Sequence, residues 1–168
     1  MSDPIIRRTF AVIVDNEPGV LARVVGLFSG RGYNIESLTV TEVEADHHRS
    51  RITIVTNGTY QILEQIETLL RRLVPVHKVQ DLTTDITTVE RELAMVKVVG
   101  TGEARVEALR LAQAFGAEVV DASLEHFVFE IKDAEEAVNR FIDLMRDLGL
   151  VEICRSGVIA VARGKEAI

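Results

Sequence analysis

The stretch of this chain best suited to chemistry is Asp15-Asn16-Glu17-Pro18-Gly19-Val20-Leu21. It joins a strand-like run, Thr9 to Val14, to a helix-like run, Val20 to Gly30. Proline suits the first turn of a helix, where its missing N–H has no intrahelical partner to lose. Gly19 lets a ligand approach the backbone without meeting a Cβ. The free N–H groups of a helix start attract a carboxylate or phosphate, worth roughly 0.3–1 kcal/mol from the dipole at an exposed site. The segment is a candidate pocket for a small anion, with no catalytic group beside it. The plainer alternative is a strand-to-helix connection whose turn residues serve the fold alone.

No other group of residues assembles a reaction centre. His47-His48 sits beside Glu44 and Asp46 in a polar loop, Glu42 to Arg49, and adjacent histidines in such a loop read as solvated side chains rather than metal ligands. His77 and His126 are isolated and read as structural. Gly100-Thr101-Gly102 follows a strand and precedes a helix, but Arg105 stands where a dinucleotide fingerprint needs its third glycine, and no parallel βαβ unit surrounds it. A plain turn fits better. There is no phosphate-binding Walker sequence, and Ser156 is not in a nucleophile elbow. Cys154 lies in an apolar strand and reads as a small core residue. Asp133, Glu135 and Glu136 complement a helix N-terminus. No nucleophile is set beside a base and an orienting acid, so the chain is not read as an enzyme.

The elements that must position the Asp15–Leu21 segment follow one order twice. In the first half, strand Thr9–Val14 leads to helix Pro18–Ser29, with Val20, Val24, Leu27 and Phe28 on one face and Gly30 and Gly32 beyond its end. Strands Tyr33–Val40 and Arg51–Val55 come next. A helix over Thr59–Leu73 buries Ile62, Ile66, Leu69, Leu70 and Leu73, Pro75 blocks its continuation, and Val76–Leu82 closes the unit. After a polar linker, Thr83–Glu90, the second half repeats the order. It has strand Leu93–Val99, helix Glu103–Phe115, and strands Glu118–Leu124 and Phe127–Ile131. A helix from an Asp133 N-cap to Leu148 turns Ala134, Val138, Phe141, Met145 and Leu148 inward, and Leu150–Arg155 and Gly157–Val161 finish the sheet. Two helices on one face of a four-stranded antiparallel sheet is the ferredoxin-like arrangement, so the fold class is α+β with two βαββαβ domains.

Composition sets the outer limits. Of 168 residues, 47% are hydrophobic and 27% charged, which is globular rather than disordered. Two domains of about 80 residues would each have a thin core, which favours oligomerisation. Residues 1–83 carry 9 Lys/Arg against 10 Asp/Glu, and residues 84–168 carry 10 against 16, so neither half has the basic excess of a nucleic-acid binder. One cysteine excludes an intrachain disulfide. The N-terminus lacks the layout of a signal peptide, and no apolar run approaches the roughly 20 residues of a membrane span. The expected location is the cytoplasm.

The first half, with its Asn16 and Gly19 turn, resembles an ACT domain. The segment Gly26-Leu27-Phe28-Ser29-Gly30-Arg31-Gly32-Tyr33-Asn34-Ile35-Glu36-Ser37-Leu38-Thr39-Val40 and the later Arg155-Ser156-Gly157-Val158 are similar to the regulatory (small) subunits of acetohydroxyacid synthase, also called acetolactate synthase. The likeness spans about residues 5–164. It implies an ACT domain over 5–83 for effector binding and dimerisation, and a second ferredoxin-like domain of the small subunit over 91–164.

The resemblance also implies a non-catalytic subunit of branched-chain amino-acid biosynthesis. Such a subunit activates a separate catalytic subunit and confers feedback inhibition by valine. Thiamine diphosphate, magnesium and FAD belong to that catalytic subunit, and this chain is expected to carry no cofactor and no metal. ACT domains pair side by side as a homodimer with the effector at the junction. By that likeness Asn16 bonds the ligand, while Gly19, Val20 and Leu21 offer N–H groups to its carboxylate. Asn34 and Ile35, read as the start of the second strand, reach it from the partner chain. Val20, Leu21 and Ile35 would line the branched side chain. The alternative is a stand-alone amino-acid-sensing ACT protein, which would lack the catalytic partner.

Overall fold

The first strand alternates Phe10, Val12 and Val14 with Thr9, Ala11 and Ile13, and both sets are buried. A strand covered on both faces is central to its sheet. The computed structural model describes residues 3–44, 48–83, 87–165 and 167–168, and shows this strand, β1 (Ile6–Asp15), at such a position. After it come α1 (Val20–Ser29), β2 (Ser37–Glu44), β3 (Arg49–Gly58), α2 (Tyr60–Arg71) and β4 (Val76–Asp81). The sheet order is β2-β3-β1-β4, antiparallel throughout. Phe10, Val12, Val14, Ile52 and Ile54 meet Val24, Phe28, Leu63, Ile66 and Leu70 from the two helices to form the first core.

The second half repeats the topology. Its elements are β5 (Thr88–Val99), α3 (Gly102–Ala114), β6 (Glu118–Ala122), β7 (His126–Asp133), α4 (Glu135–Arg146) and β8 (Leu150–Arg155), with the order β6-β7-β5-β8. Phe129 sits edge-on to Phe141 at 6.1 Å, and Phe115 lies 5.5 Å from Phe141, at the centre of the second core. Both halves are ferredoxin-like, as the element order predicts. Among the described residues no helix is long and apolar enough to cross a membrane.

Several boundaries differ from the sequence reading. The second strand begins at Ser37, not Tyr33, because Tyr33 N turns back to Phe28 O at 3.0 Å and strand-like pairing starts only where Glu36 N meets Val55 O at 2.8 Å. Asn34 and Ile35 therefore precede β2. Glu42 belongs to β2 and Arg49 to β3, so the polar loop is shorter than expected; Asp46 and His47 lie outside the described residues. The end of the expected linker is already strand, from Thr88, while Thr84–Ile86 are outside the description. Leu63, not Leu73, joins Ile66 and Leu70 as a fully buried residue of α2. Ala134 rather than Asp133 occupies the cap position of α4; Asp133 Oδ1 instead accepts from Ala134 N at 2.7 Å. Cys154 is exposed, since the alternation of β8 turns it away from Ile153 and the core.

The chain divides into two compact units: one runs to Val89 and takes in Val158–Ile168, and the other is Glu90–Gly157. The last strand, β9 (Ile159–Ala162), joins the second sheet as its fifth strand by pairing with β5, as the element order predicts, while its residues fall within the first unit. Arg155-Ser156-Gly157 makes that departure. Arg155 grips the buried carboxylate of Glu92 through two hydrogen bonds, 2.9 and 2.5 Å, which also raises the guanidinium pKa. Ser156 N donates to Leu93 O at 2.9 Å, and Leu93 N donates to Ser156 Oγ at 3.1 Å. Gly157, at φ +83°, then turns the chain out of β8. Val158 N donates to Ser37 Oγ at 2.8 Å, and Val158 O accepts from Thr39 Oγ1 at 3.2 Å. Ala160 packs with Ala11 and Leu82 on the face away from the helices. The C-terminal segment is thus a strap over the outer face of the first sheet.

A charge is buried on the helix side of the same sheet. Arg8 is 1% exposed and its guanidinium lies 3.1 Å from Asp81, also 1% exposed, and 2.7 Å from Glu64 of α2, with the Tyr60 ring 5.0 Å away. The group ties β1, β4 and α2 together. Removing one member of a buried pair costs up to about 3–5 kcal/mol when the other charge is left alone, but here Glu64 still offsets part of the Arg8 charge. Asp81→Ala is expected to lower unfolding stability by about 2–4 kcal/mol in urea denaturation, whereas Glu67→Ala, which breaks the Glu67–Arg71 pair at the surface of the same helix, costs under about 1 kcal/mol.

Candidate functional site

Helix α1 begins on Gly19, which sits at φ +88°, ψ −10°. That left-handed conformation favours glycine and lets the chain turn from Pro18 into the helix. Pro18 precedes the cap and is not in the first turn as the sequence suggested, because Gly19 takes the cap itself. A Cβ built on Gly19 meets nothing within 4 Å, so the position opens to the outside of this chain. Val20 N reaches Glu17 O at a long 3.3 Å, and among the described residues the N–H groups of Gly19, Leu21 and Ala22 meet no backbone acceptor.

Each of the four helices must deal with its unpaired N–H groups. α2 has Thr59, whose side chain accepts from Ile62 N at 3.4 Å. α3 has Glu103 in its first turn, and α4 has Glu135 and Glu136. α1 has neither a side-chain cap nor an acidic residue in its first turn. Its partial positive charge is left for something outside the chain, and a carboxylate is the group that matches it.

The approach to this helix start is braced. Asp15 N donates to Pro75 O at 2.9 Å, Asn16 N donates to His48 O at 2.6 Å, and His77 Nε2 lies 2.5 Å from Asp15 Oδ1. Pro75 and His48 lie in the α2–β4 and β2–β3 connections, and His77 at the start of β4. The two carbonyl partners left no trace in the sequence, because backbone carbonyls carry no residue signature. Asn16 and Glu17 are exposed, and Leu21 is 41% exposed. Val20 points inward as part of the first core, so its contribution to the site is its backbone.

Asn34 and Ile35 are elsewhere. Strand register places Asp15 opposite Arg49 and, across β3, Glu44, whereas Thr9 is opposite Val55 and, across β3, Ser37. Six residues of β1 separate those two rows, about 20 Å at the rise of an antiparallel strand. Asn34 and Ile35 precede Ser37 and lie at the far end. One chain does not bring the two groups together. Asn34 O accepts from Thr56 Oγ1 at 2.6 Å, and its side-chain amide donates to Glu36 at 2.7 Å. A carbonyl has a second lone pair, so a further donor can be accepted there. Ile35 is half-buried against the first core.

One cluster that the sequence did not announce has the composition of a catalytic triad. Ser123 Oγ lies 2.7 Å from His126 Nδ1, and His126 Nε2 lies 2.8 Å from Asp121 Oδ2. In a working triad the acid holds Nδ1 and the nucleophile faces Nε2, the reverse of this arrangement. Ser123 Oγ also accepts from the N–H groups of Glu125 and His126 at 3.1 and 3.2 Å, which fixes it in the β6–β7 turn. The hydrogen bond from His126 holds the Asp121 carboxyl below its ordinary range. The cluster is a hairpin clasp. Among the described residues no three His, Cys, Asp or Glu side chains are placed to hold a metal.

The two ferredoxin-like units agree with the known proteins this chain resembles. Residues 10–78 match the family model described as the AHAS small subunit-like ACT domain, and residues 91–164 match that for the small subunit of acetolactate synthase. The chain is 44% identical over 161 residues to a probable acetolactate synthase small subunit of Archaeoglobus fulgidus, covering 96% of this chain and 99% of that one. It is 42% identical to the acetolactate synthase small subunit of Haemophilus influenzae, covering 97% and 99%. The crystal structure of the acetolactate synthase small subunit from Thermotoga maritima superposes with a TM-score of 0.83 at 35% identity, covering 96% of this chain and 99% of that one. With this identity over nearly its whole length, the chain belongs to the family of acetolactate synthase small subunits, the regulatory partners of that enzyme, and its first unit is an ACT domain.

Proposed function

We propose that this subunit activates its catalytic partner in the cytoplasm and makes it sensitive to feedback inhibition by valine. The observation that carries the reading is the start of α1, alone among the four helices in having neither cap nor acid. An amino-acid carboxylate supplies the missing negative charge. It would be held by the N–H groups of Gly19, Val20 and Leu21, with the Asn16 side chain beside it.

The ammonium and the branched side chain then need Asn34 O and Ile35, which stand about 20 Å away along the sheet of the same chain. A second copy removes the difficulty. β2 is an edge strand with one row of unpaired backbone groups. Pairing it antiparallel with its equivalent about a two-fold axis sets the start of one β2 beside the end of the other. Asn34 and Ile35 of one copy then face the α1 start of its partner, and each dimer carries two such sites. Valine bound there favours one arrangement of the two copies, and the catalytic subunit responds to the difference. Coupling of this kind is typically about 1–3 kcal/mol, enough for inhibition of about 5–150-fold. The cofactors of acetolactate formation, thiamine diphosphate, magnesium and FAD, would be held by the catalytic subunit.

Acetolactate formation by the catalytic subunit from the same source, with and without this chain and across a valine titration, tests the reading. The expected result is a higher rate on addition of this chain and a fall as valine rises. A rate indifferent to both the chain and valine overturns it.

Gly19→Asp places a carboxylate where the effector carboxylate would sit and forces a side chain to φ +88°. Activation is expected to persist while valine inhibition is lost. Full valine sensitivity in this variant would remove the site from the α1 start. Gly19→Ala separates charge from strain: it should cost roughly 1–2 kcal/mol in thermal unfolding and weaken valine inhibition only partly.

A further inference from the structure

The strap borders an open cavity of about 310 Å³ against the outer face of the first sheet, away from the α1 start. Ile13, Val43, Leu82 and Val161 form an apolar wall, while Arg51 and Lys165 are its cations. A volume near the lower end of roughly 300–1,000 Å³ suits a small molecule. Arg51 is half-buried. Its Nη2 donates to Ala160 O at 2.6 Å, and no carboxylate pairs with it among the described residues. Burial lowers the pKa of this guanidinium, the sign of a cation short of compensation. A half-buried guanidinium retains donors for a carboxylate, which it accepts through two parallel hydrogen bonds.

Arg51 and Lys165 repel an ammonium group, and the described lining contributes no acidic side chain to offset them. We propose that this cavity is a second small-molecule site, taking a short aliphatic monocarboxylate without a charged amine. Arg51 forks onto the carboxylate, Lys165 adds a second positive charge, and the apolar wall holds the hydrocarbon. The ligand differs from an amino-acid effector by the missing ammonium. The proposal does not depend on the valine reading, because it uses the opposite face of the sheet.

An NMR titration of the full chain with 3-methylbutanoate as the probe tests it, following the amides of Ile13, Val161 and Ala162. Saturable shifts at these positions are expected in the millimolar range or tighter. Arg51→Gln should weaken binding at least about tenfold. Val161→Asp adds a like charge at a position 61% exposed, where folding tolerates it, and should weaken binding by a similar factor even if Arg51→Gln proves unstable. Valine, the same skeleton with an ammonium, should not compete. The proposal is overturned by the absence of saturable shifts up to tens of millimolar, or by unchanged affinity in Val161→Asp. Equal affinity for inorganic phosphate would reduce the site to a bare pair of cations, and equal competition by valine would contradict the repulsion of an ammonium by those cations; either result also overturns it.

Discussion

The constraint on which the function of this chain depends is the register of one edge strand. β2 starts level with Thr9 and Val55 and ends level with Asp15 and Arg49. The turn before β2 and the turn after β1 are therefore held at opposite ends of the sheet, and no side-chain motion closes that gap. The central strand cannot slide to relieve it. β1 buries Phe10, Val12 and Val14 on one face and Thr9 and Ala11 on the other, and a slip of one residue would exchange the two sets. A site built from both turns is accordingly a property of two chains. In the proposed dimer, effector binding and dimer geometry would then be one event, which is the physical requirement for a small molecule to regulate a distant partner.

The second unit shows what the first would be without that role. It has the same strand order, and its first helix also begins at a positive-φ glycine, Gly102, after a strand and a short turn. But Glu103 follows immediately and supplies the negative charge from within. A carboxylate ligand approaching α3 would meet a like charge, whereas one approaching α1 meets unpaired N–H groups. The repeat preserved the backbone device and one residue changed its use. The distinction is electrostatic and local, so likeness of fold between the halves does not carry likeness of function.

Much of this was legible in the sequence because it rests on periodicity and on residues with restricted backbones. The alternation in Thr9–Val14, the helical spacing of Val20, Val24, Leu27 and Phe28, and the punctuation by Gly30, Gly32 and Pro75 suffice for two βαββαβ units. The misplaced features share a different origin. Ser37 begins β2 because Asn34, Glu36 and Thr56 bond one another, and such a bond network leaves no periodic mark. Cys154 was read as core from its apolar neighbours, but an edge strand exposes alternate residues whatever their polarity. The bracing of Asn16 by His48 and of Asp15 by Pro75 is made by carbonyls, which every residue possesses. Elements follow from local pattern, and their joints follow from long-range backbone bonding that one chain's letters do not encode.

The strap has the same character, since long-range bonding places it. Arg155 and Ser156 fasten the end of β8 to Glu92 and Leu93, and Gly157 releases the chain into a new direction. Val158 then bonds two of the hydroxyls that β2 presents on its outer face, Ser37 and Thr39. An exposed edge strand ordinarily risks fraying or indiscriminate pairing. Binding its side chains from the outer face stiffens β2 while leaving its backbone row free. An edge held in this way is rigid enough to pair in one register and open enough to pair at all, so the strap supports the strand pairing on which the proposed effector site rests.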